Sequence, residues 1–318
     1  MTTPSNAVPE SLNQQGIDAQ RIALAPLSAT RPLYWSIRRE IWENRSIYIG
    51  PLVAAAVCIL GFLVSLIGLP RSMYDASAHH MSPTGMLAMP YAHVAWVLIL
   101  TAFLVGIFYS LDALYGERRD RSILFWKSLP VSDFTTVLAK ACIPLVALPL
   151  ITFVVTVALQ LIMLLLSTAV LLLTGAGAAT MWAQLPFFQM QFVLLYGLIV
   201  LALWHAPLYA WLLLVSGWAR RATFLWAFLP VLAIGGFERI AFRTSHFGHL
   251  LQDRLMGFAP DAFAFHTPDG LPVDPHFIPL AQLTPGRFLS TPGLWIGLIF
   301  AAIFLAAAVR LRRYREPI

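Results

Sequence analysis

The chain has 318 residues, of which 59% are hydrophobic and only 11% are charged, whereas about a quarter of the residues in an ordinary soluble domain carry a charge. So few charges cannot cover the surface of a soluble protein, and the 79 residues between Lys140 and Arg220 contain none. The net charge of +6 is not gathered into a basic patch, which argues against nucleic acid as a partner and favours contact with anionic lipid headgroups. Composition therefore predicts an all-α polytopic membrane protein.

The N-terminal segment 1–30 is polar and rich in proline, and it lacks the apolar stretch of a signal peptide. We expect a disordered cytoplasmic tail here. Residues 31–46 then predict a helix lying in the plane of the headgroups, the alternative being a frayed extension of the first span. Its apolar side would hold Tyr34, Ile37, Ile41 and Tyr48, with Trp35 and Trp42 beside them and Arg38, Arg39, Glu43 and Arg45 on the polar side.

Six segments of the transmembrane domain, residues 47–318, are apolar and long enough to cross a bilayer core, which takes roughly 20 residues of helix. We predict spans near residues 47–69, 91–112, 138–165, 191–215, 222–242 and 291–310. The fifth is the weakest, because only 16 residues separate Arg221 from Glu238 and Pro230 interrupts them. Either Glu238 and Arg239 lie inside the outer leaflet, or this segment is bent or re-entrant.

The long apolar stretch from Ala141 to Thr174 would extend about 51 Å as a single helix, which leaves two short spans or one tilted span as alternatives. The distribution of basic residues favours one span. With six spans and both termini in the cytoplasm, 16 of the 21 basic residues lie on the cytoplasmic side. Splitting the stretch would move Arg220, Arg221 and the C-terminal arginines outside, against the positive-inside bias.

The loop at residues 113–137, between spans two and three, combines charge with an apolar patch. Five charged residues from Glu117 to Arg121 precede the patch Ile123–Trp126, and Pro130 then disfavours helix in the residue before it. Ser132 or Asp133 is placed to cap the helix of span three. Such a loop suits either docking against another protein or contact with the membrane surface, and the residues alone do not decide between the two.

The run Tyr-x-x-Asp-x-Leu-Tyr-x-Glu-Arg-Arg-x-x-Ser-Ile-x-x-x-x-Ser-Leu-Pro-Val-Ser begins at Tyr109, and a lysine, Lys140, follows eight residues after it. It resembles the loop that contacts the ATPase in type 2 (ABC-2-like) permeases of ABC transporters. The wider layout is also similar, with an interfacial N-terminal helix, six spans and an outer insertion, here at residues 243–290. One departure is Asp120, where the family often has glycine.

The resemblance implies a permease subunit of an ATP-driven exporter in the bacterial inner membrane. Two copies of a separate ATPase would carry ATP and Mg²⁺, and a second permease copy would complete a homodimer or a homologous heterodimer. The implied coupling residues are Glu117, Arg118, Arg119, Ile123, Leu124, Phe125, Trp126, Leu129 and Pro130, and those of the connector helix are Tyr34, Trp35, Arg38, Arg39 and Trp42.

The chain has no phosphate-binding motif of its own. A Walker loop needs the pattern G-x-x-x-x-G-K-[ST], and the only lysines, Lys127 and Lys140, lie outside any such pattern. We therefore expect this chain by itself to be no enzyme and to bind no cofactor, with ATP hydrolysed by the partner.

Polar residues inside the spans are further candidates, since they often mark a transport pathway, although hydrogen bonds between helices explain them equally well. They are His205, Gln160 and Gln191 as pathway residues and Glu238 and Arg239 as a gate. His246, His249 and Asp253 have spacing that a metal site could use, but solvated loop histidines are the more ordinary interpretation and we predict no metal. Two rival functions remain: a membrane-embedded enzyme that acts on a lipid-linked substrate, and an ion-coupled carrier.

Overall fold

The computed structural model describes residues 30–68, 83–122, 131–175, 178–266 and 278–314. Within these ranges the chain is mostly helical, and β-pairing is limited to isolated bridges, one of them between Phe263 and Leu283. Six of the described helices are long and apolar enough to cross a membrane. The predicted all-α polytopic fold is therefore confirmed. Residues 1–29 of the predicted N-terminal tail lie outside the described residues.

All six predicted spans are present, and most extend beyond their predicted limits. In chain order the spans are Ser46–Ser65 with a 3₁₀ turn at Leu66–Gly68, Pro83–Asp112, Asp133–Thr174, Phe187–Trp218, Thr223–Phe242 and Pro292–Tyr314. Because six crossings return the chain to the side where it started, Thr30 and Tyr314 lie on the same side of the bundle. We call this the terminal side and the opposite one the far side.

Span three is one helix, as the charge distribution predicted. It contains a regular helix at Asp133–Cys142, a π-helical turn at Ile143–Ala147 and a second regular helix at Leu148–Thr174. The π turn coincides with Pro144, which has no backbone N–H to continue the regular hydrogen-bond pattern. Ser132 caps the helix, since its hydroxyl accepts a hydrogen bond from the Thr135 amide at 3.1 Å.

Shorter helices lie at both sides of the bundle. On the terminal side are the connector helix, Thr30–Glu43, and the loop helix, Tyr115–Arg119. On the far side, Ala178–Gln184 joins spans three and four. The predicted outer insertion contains His246–Met256, which we call the return helix because it leads from the end of span five back to spans four and six. It also contains the short helices Ala259–Ala262 and Pro285–Ser290.

Span four forms the centre of the bundle, where it packs against spans two and six. Small residues make these approaches close: Ala206 and Ala210 face Ala301 on span six, and a Cβ at Gly106 of span two would lie 2.9 Å from the ring of Tyr209. Such contacts are typical of helices that associate inside a membrane. Spans one and five are far less buried, and span five continues as a helix through Pro230.

Candidate functional site

A network of charged side chains, buried at its centre and half-buried at its edges, joins five elements on the terminal side of the bundle. Its members are Arg39 and Glu40 of the connector helix, Glu117 of the loop helix, Asp133 and Lys140 of span three, and Arg312 of span six, with Tyr109 of span two as a neutral partner. The three cations balance the three carboxylates. We refer to these seven residues as the ion network.

Lys140 lies at the centre of the ion network. Its Nζ is 2.9 Å from Glu40 Oε1 and 3.1 Å from Glu117 Oε1, so it bridges two carboxylates from different helices. Only 3% of the Lys140 side chain and 1% of the Glu40 side chain are exposed. Charges so deeply buried are tolerated only when they are paired and hydrogen-bonded. The network therefore depends on all of its members being in place.

The carboxylates have further partners around this centre. The Arg39 guanidinium lies 2.7 Å from Glu40 Oε1 and 3.3 Å from Glu117 Oε1. The Tyr109 hydroxyl donates to Glu40 Oε2 at 2.8 Å. Burial by itself raises the pKa of the Glu40 carboxyl, but Lys140 and Arg39 outweigh burial and hold that pKa below its ordinary value. Glu40 is therefore an ionised carboxylate at neutral pH.

Span six enters the network through its last turns. Arg312 contacts Glu117 with one guanidinium nitrogen, and its Nε donates to Asp133 Oδ1 at 3.1 Å. Asp133 and Lys140 are seven residues apart, which places them on the same face of the first helix of span three. Asp133 is also in the first turn of that helix, where a carboxylate interacts favourably with the helix dipole.

The loop helix is held at a second point by span four. Arg118 donates to the carbonyl oxygens of Gly217 at 2.7 Å and Ala219 at 3.2 Å, and cations stabilise helix C-termini in this way. The Ser216 hydroxyl accepts hydrogen bonds from the backbone amides that open the loop, those of residues 114 and 115, at 3.0 and 2.9 Å. The beginning of the loop is thus attached to spans three, four and six.

Of the predicted coupling residues, Arg118 is buried and Glu117 faces the bundle with 9% of its side chain exposed. Arg119 is exposed and pairs with Asp120 at 3.0 Å. Ile123, Leu124, Phe125, Trp126, Leu129 and Pro130 lie outside the described residues. The family glycine was matched to Asp120, but the left-handed backbone that favours glycine occurs one residue later, at Arg121, where φ is 56°.

The predicted division of faces on the connector helix is only partly right. Ile37 and Ile41 pack against the bundle, as their spacing indicated. Arg39 was assigned to the polar side and yet faces the bundle, because its partners Glu40 and Glu117 are there. The outward face carries Tyr34, Trp35 and Trp42, and the Arg38 guanidinium lies 5.2 and 4.6 Å from the centres of the two tryptophan rings.

The glutamines predicted as pathway residues form a buried bridge between spans. Gln191 of span four donates to Gln160 Oε1 of span three at 2.7 Å, and Gln160 in turn donates to the carbonyl oxygen of Tyr91 in span two at 3.0 Å. These contacts agree with the alternative that polar residues join helices inside the membrane. A pathway role is not needed to explain them.

His205 and Glu238 both position the return helix. The two ring nitrogens of His205 lie 3.0 Å from the carbonyl oxygen of Leu201 and 3.2 Å from that of Leu255 on the return helix. The Glu238 carboxylate accepts hydrogen bonds from the backbone amides of His246 and Phe247 at 2.7 and 2.8 Å, and so caps that helix. Arg239, the other predicted gate residue, is exposed.

Sequence reasoning missed the centre of the site. Glu40 was assigned no role, although it lies between Ile37 and Ile41 on the apolar side of the connector helix. A carboxylate in that position signals a buried cation nearby. No comparable signal in the sequence links Lys140 to Arg312, because their proximity is a product of helix packing.

Comparison with protein-family models, with curated proteins and with solved structures finds no match to this chain. Its own geometry therefore has to carry the functional argument. Within the described part of the chain, no three His, Cys, Asp or Glu side chains converge in a way that would hold a metal ion.

Proposed function

We propose that this chain is the permease subunit of an ATP-driven ABC exporter and that the ion network couples it to a separate ATPase. The observation that carries the proposal is the burial of Glu40 and Glu117 around one lysine of span three. Through these contacts a displacement of the loop or of the connector helix acts directly on the ends of spans three and six.

The ion network suits force transmission because its contacts join specific partners and because breaking any one of them costs free energy. Removing one partner from a buried ion pair leaves an uncompensated charge, so the loop helix and the spans move together or exchange partners. Packed interfaces of this kind switch between discrete arrangements rather than deforming continuously. A push on the exposed end of the loop, near Arg119, is thereby converted into a tilt of the attached spans.

The remaining parts of the proposal follow from the resemblance. Two ATPase subunits bind ATP and Mg²⁺ on the cytoplasmic side of a bacterial inner membrane, where both termini of this chain lie. A second permease copy completes the translocation path about a two-fold axis. Span five has only 6% of its apolar window buried, so it has ample free surface for lipid or for that second copy.

The rival functions gain less support. The enzyme hypothesis needs His246, His249 and Asp253 to form one site. They lie on a single helix and, among the described residues, no other element brings a further ligand to them. The carrier hypothesis needs an ionisable carboxylate deep in a span. Glu238 instead lies in the last turns of span five, where it caps the return helix.

A topology experiment tests the orientation on which the proposal depends. In a background in which both native cysteines, Cys58 and Cys142, are serine, we introduce Arg119→Cys in the loop or Ala179→Cys on the far side, both at exposed positions. In intact cells a membrane-impermeant maleimide should label Ala179→Cys, and it should label Arg119→Cys only after lysis. Labelling of Arg119→Cys in intact cells contradicts the proposal.

Co-purification tests the partner. The tagged chain is extracted from its native membranes in mild detergent, and Mg-ATP hydrolysis is measured in the eluate. Hydrolysis should co-elute with the chain and should decrease in Arg119→Glu, because this substitution reverses an exposed charge at the proposed contact. The matched control Arg310→Glu, exposed at the end of span six, should retain it. Failure to recover ATPase activity with the wild-type chain in any mild detergent rejects the proposal.

A further inference from the structure

Two cavities adjoin each other between spans two and four and the segment that follows the return helix. The smaller has a volume of about 280 Å³ and the larger about 500 Å³. They share five lining residues, Trp96, Ile99, Leu201, Phe258 and Ala259. Because these shared walls make them continuous, we treat them as the two chambers of one cleft.

The cleft is long and narrow. Its wall on span four runs as a stripe from Met190 to Tyr209, which at 1.5 Å per residue is about 28 Å. The combined volume of the two chambers is spread along that length. Small residues, among them Gly197 and Ala202, leave the space open. A cleft of this shape suits one extended chain better than a compact molecule.

The lining excludes charged occupants. No charged side chain of the described residues lines either chamber. Four polar side chains besides Trp96 line the cleft: Gln160, His205, His93 and Tyr209. Gln160 and His205 are hydrogen-bonded within the protein. A charged group placed against these mostly apolar walls would lose its hydration with little compensation. The occupant therefore has to be apolar.

The walls of the cleft are held in place without a ligand. Trp204 Nε1 donates to the carbonyl oxygen of Asp253 at 3.3 Å, and Arg254 donates to that of Gly293 at 3.1 Å, so the return helix is attached to spans four and six. The Tyr196 hydroxyl donates to the carbonyl oxygen of Ala262 at 3.2 Å. Preformed, mostly apolar cavities of a few hundred cubic ångströms are typical of small-molecule sites.

We propose that this cleft binds one alkyl chain, that of a membrane lipid or of a single-chain amphiphile. Trp96 and Leu100 of span two, each 58% exposed, form its opening toward the surrounding bilayer, so the chain enters sideways from the hydrocarbon region. Burying the methylenes along apolar walls fills space that would otherwise be empty and costly to maintain.

The cleft also adjoins the part of span three that the ion network holds. Pro144, Leu148 and Pro149 line the larger chamber, and Pro144 lies in the π turn that begins three residues after Lys140. A shift of Lys140 would therefore change the width of the chamber. The idea that the cleft holds transported cargo rests on the proposed function. The idea that it binds an alkyl chain does not depend on that function.

The experiment uses the full-length chain in nanodiscs of unlabelled phosphatidylcholine, without ATPase or nucleotide. The probe is palmitic acid carrying a mid-chain diazirine, and a second arm uses the same acyl chain within phosphatidylcholine. After irradiation, mass spectrometry should locate adducts on the shared walls, such as Leu201 and Phe258, and excess unlabelled palmitic acid should suppress them. Labelling by the second probe identifies the source as bilayer lipid, and labelling by the first alone identifies a single-chain amphiphile.

Filling variants provide the decisive comparison. Ala259→Phe narrows both chambers and Ala202→Phe narrows the larger one, whereas Ala302→Phe places the same ring on the exposed face of span six. Labelling of the cleft should fall about tenfold or more in the filling variants, because each methylene excluded weakens binding about fourfold. The control should retain it.

Two results would overturn the inference. One is wild-type labelling confined to outward-facing residues, and the other is equal cleft labelling in the filling variants and in Ala302→Phe. If a filling variant does not fold, suppression by palmitic acid in the wild type decides the question. Since the assay contains no ATPase, its failure leaves the permease proposal untouched, and failure of ATPase co-purification leaves the alkyl-chain site untouched.

Discussion

Replacing Lys140 by methionine removes the charge at the centre of the ion network and keeps a side chain of similar length. The Nζ lies 2.9 Å from Glu40 and 3.1 Å from Glu117, and at an effective dielectric constant of about 20 the Coulomb energy of each contact is about 5.5 kcal/mol before desolvation. Removing the lysine also removes its own desolvation cost, and Arg39 still faces both carboxylates. We therefore expect a net loss of about 3–5 kcal/mol in the free energy of unfolding, the range measured for broken buried ion pairs.

The loss is measured by SDS titration of the purified protein in mixed micelles, with Arg310→Met as the matched control. Arg310 is an exposed cation at the end of span six, so its replacement should change the free energy of unfolding by less than about 0.5 kcal/mol. In the double variant Glu40→Gln with Lys140→Met, the two costs should fall short of additivity by about 1–3 kcal/mol, since each substitution removes part of the same interaction. A Lys140→Met variant as stable as the control would refute the argument.

Three further perturbations test other parts of the structure. The pKa of Glu40 is lowered in the folded protein. Its stabilising contribution is therefore fully present above its unfolded-state pKa of about 4.3 and is lost as the pH falls through its folded-state pKa. Acid titration of the free energy of unfolding should show this loss of stability, and Glu40→Gln should make the loss smaller. Gly106→Ala should destabilise by about 1–3 kcal/mol through overpacking, because the new Cβ lies 2.9 Å from the Tyr209 ring. Gly61→Ala, with nothing within 4 Å of the new Cβ, should leave stability unchanged or raise it by up to about 1 kcal/mol; thermal unfolding measures both variants. Glu238→Ala removes the cap of the return helix, so amide exchange across His246–Met256 should become several-fold faster while the global unfolding temperature stays unchanged.

The membrane architecture was predictable because it follows from local composition. A run of about 20 apolar residues has to become a helix in a bilayer, where backbone groups can be satisfied only within the segment. The single third span was predictable for a similar reason, since orientation depends on the basic residues that flank each crossing. The Ser132 cap is likewise a local signal, and the structure confirms it.

The faces of the connector helix show where this kind of reasoning stops. Hydrophobic periodicity located Ile37 and Ile41 on the buried side, but it gave no reason to place Arg39 and Glu40 there as well. Those charges are buried because cations and carboxylates from other helices meet them. The hydrophobic pattern of one helix contains no information about charged side chains on other helices that pack against it.

The amino-acid sequence by itself determined the number of spans, their order and the position of a polar loop between the second and third. These features depend on neighbours along the chain. Only the tertiary structure decided that Glu40, Glu117, Lys140 and Arg312 share one buried site and that spans two and four enclose a long apolar cleft. Both depend on how helices distant in sequence pack together, and small residues such as Gly106 and Ala210 set that packing through steric fit.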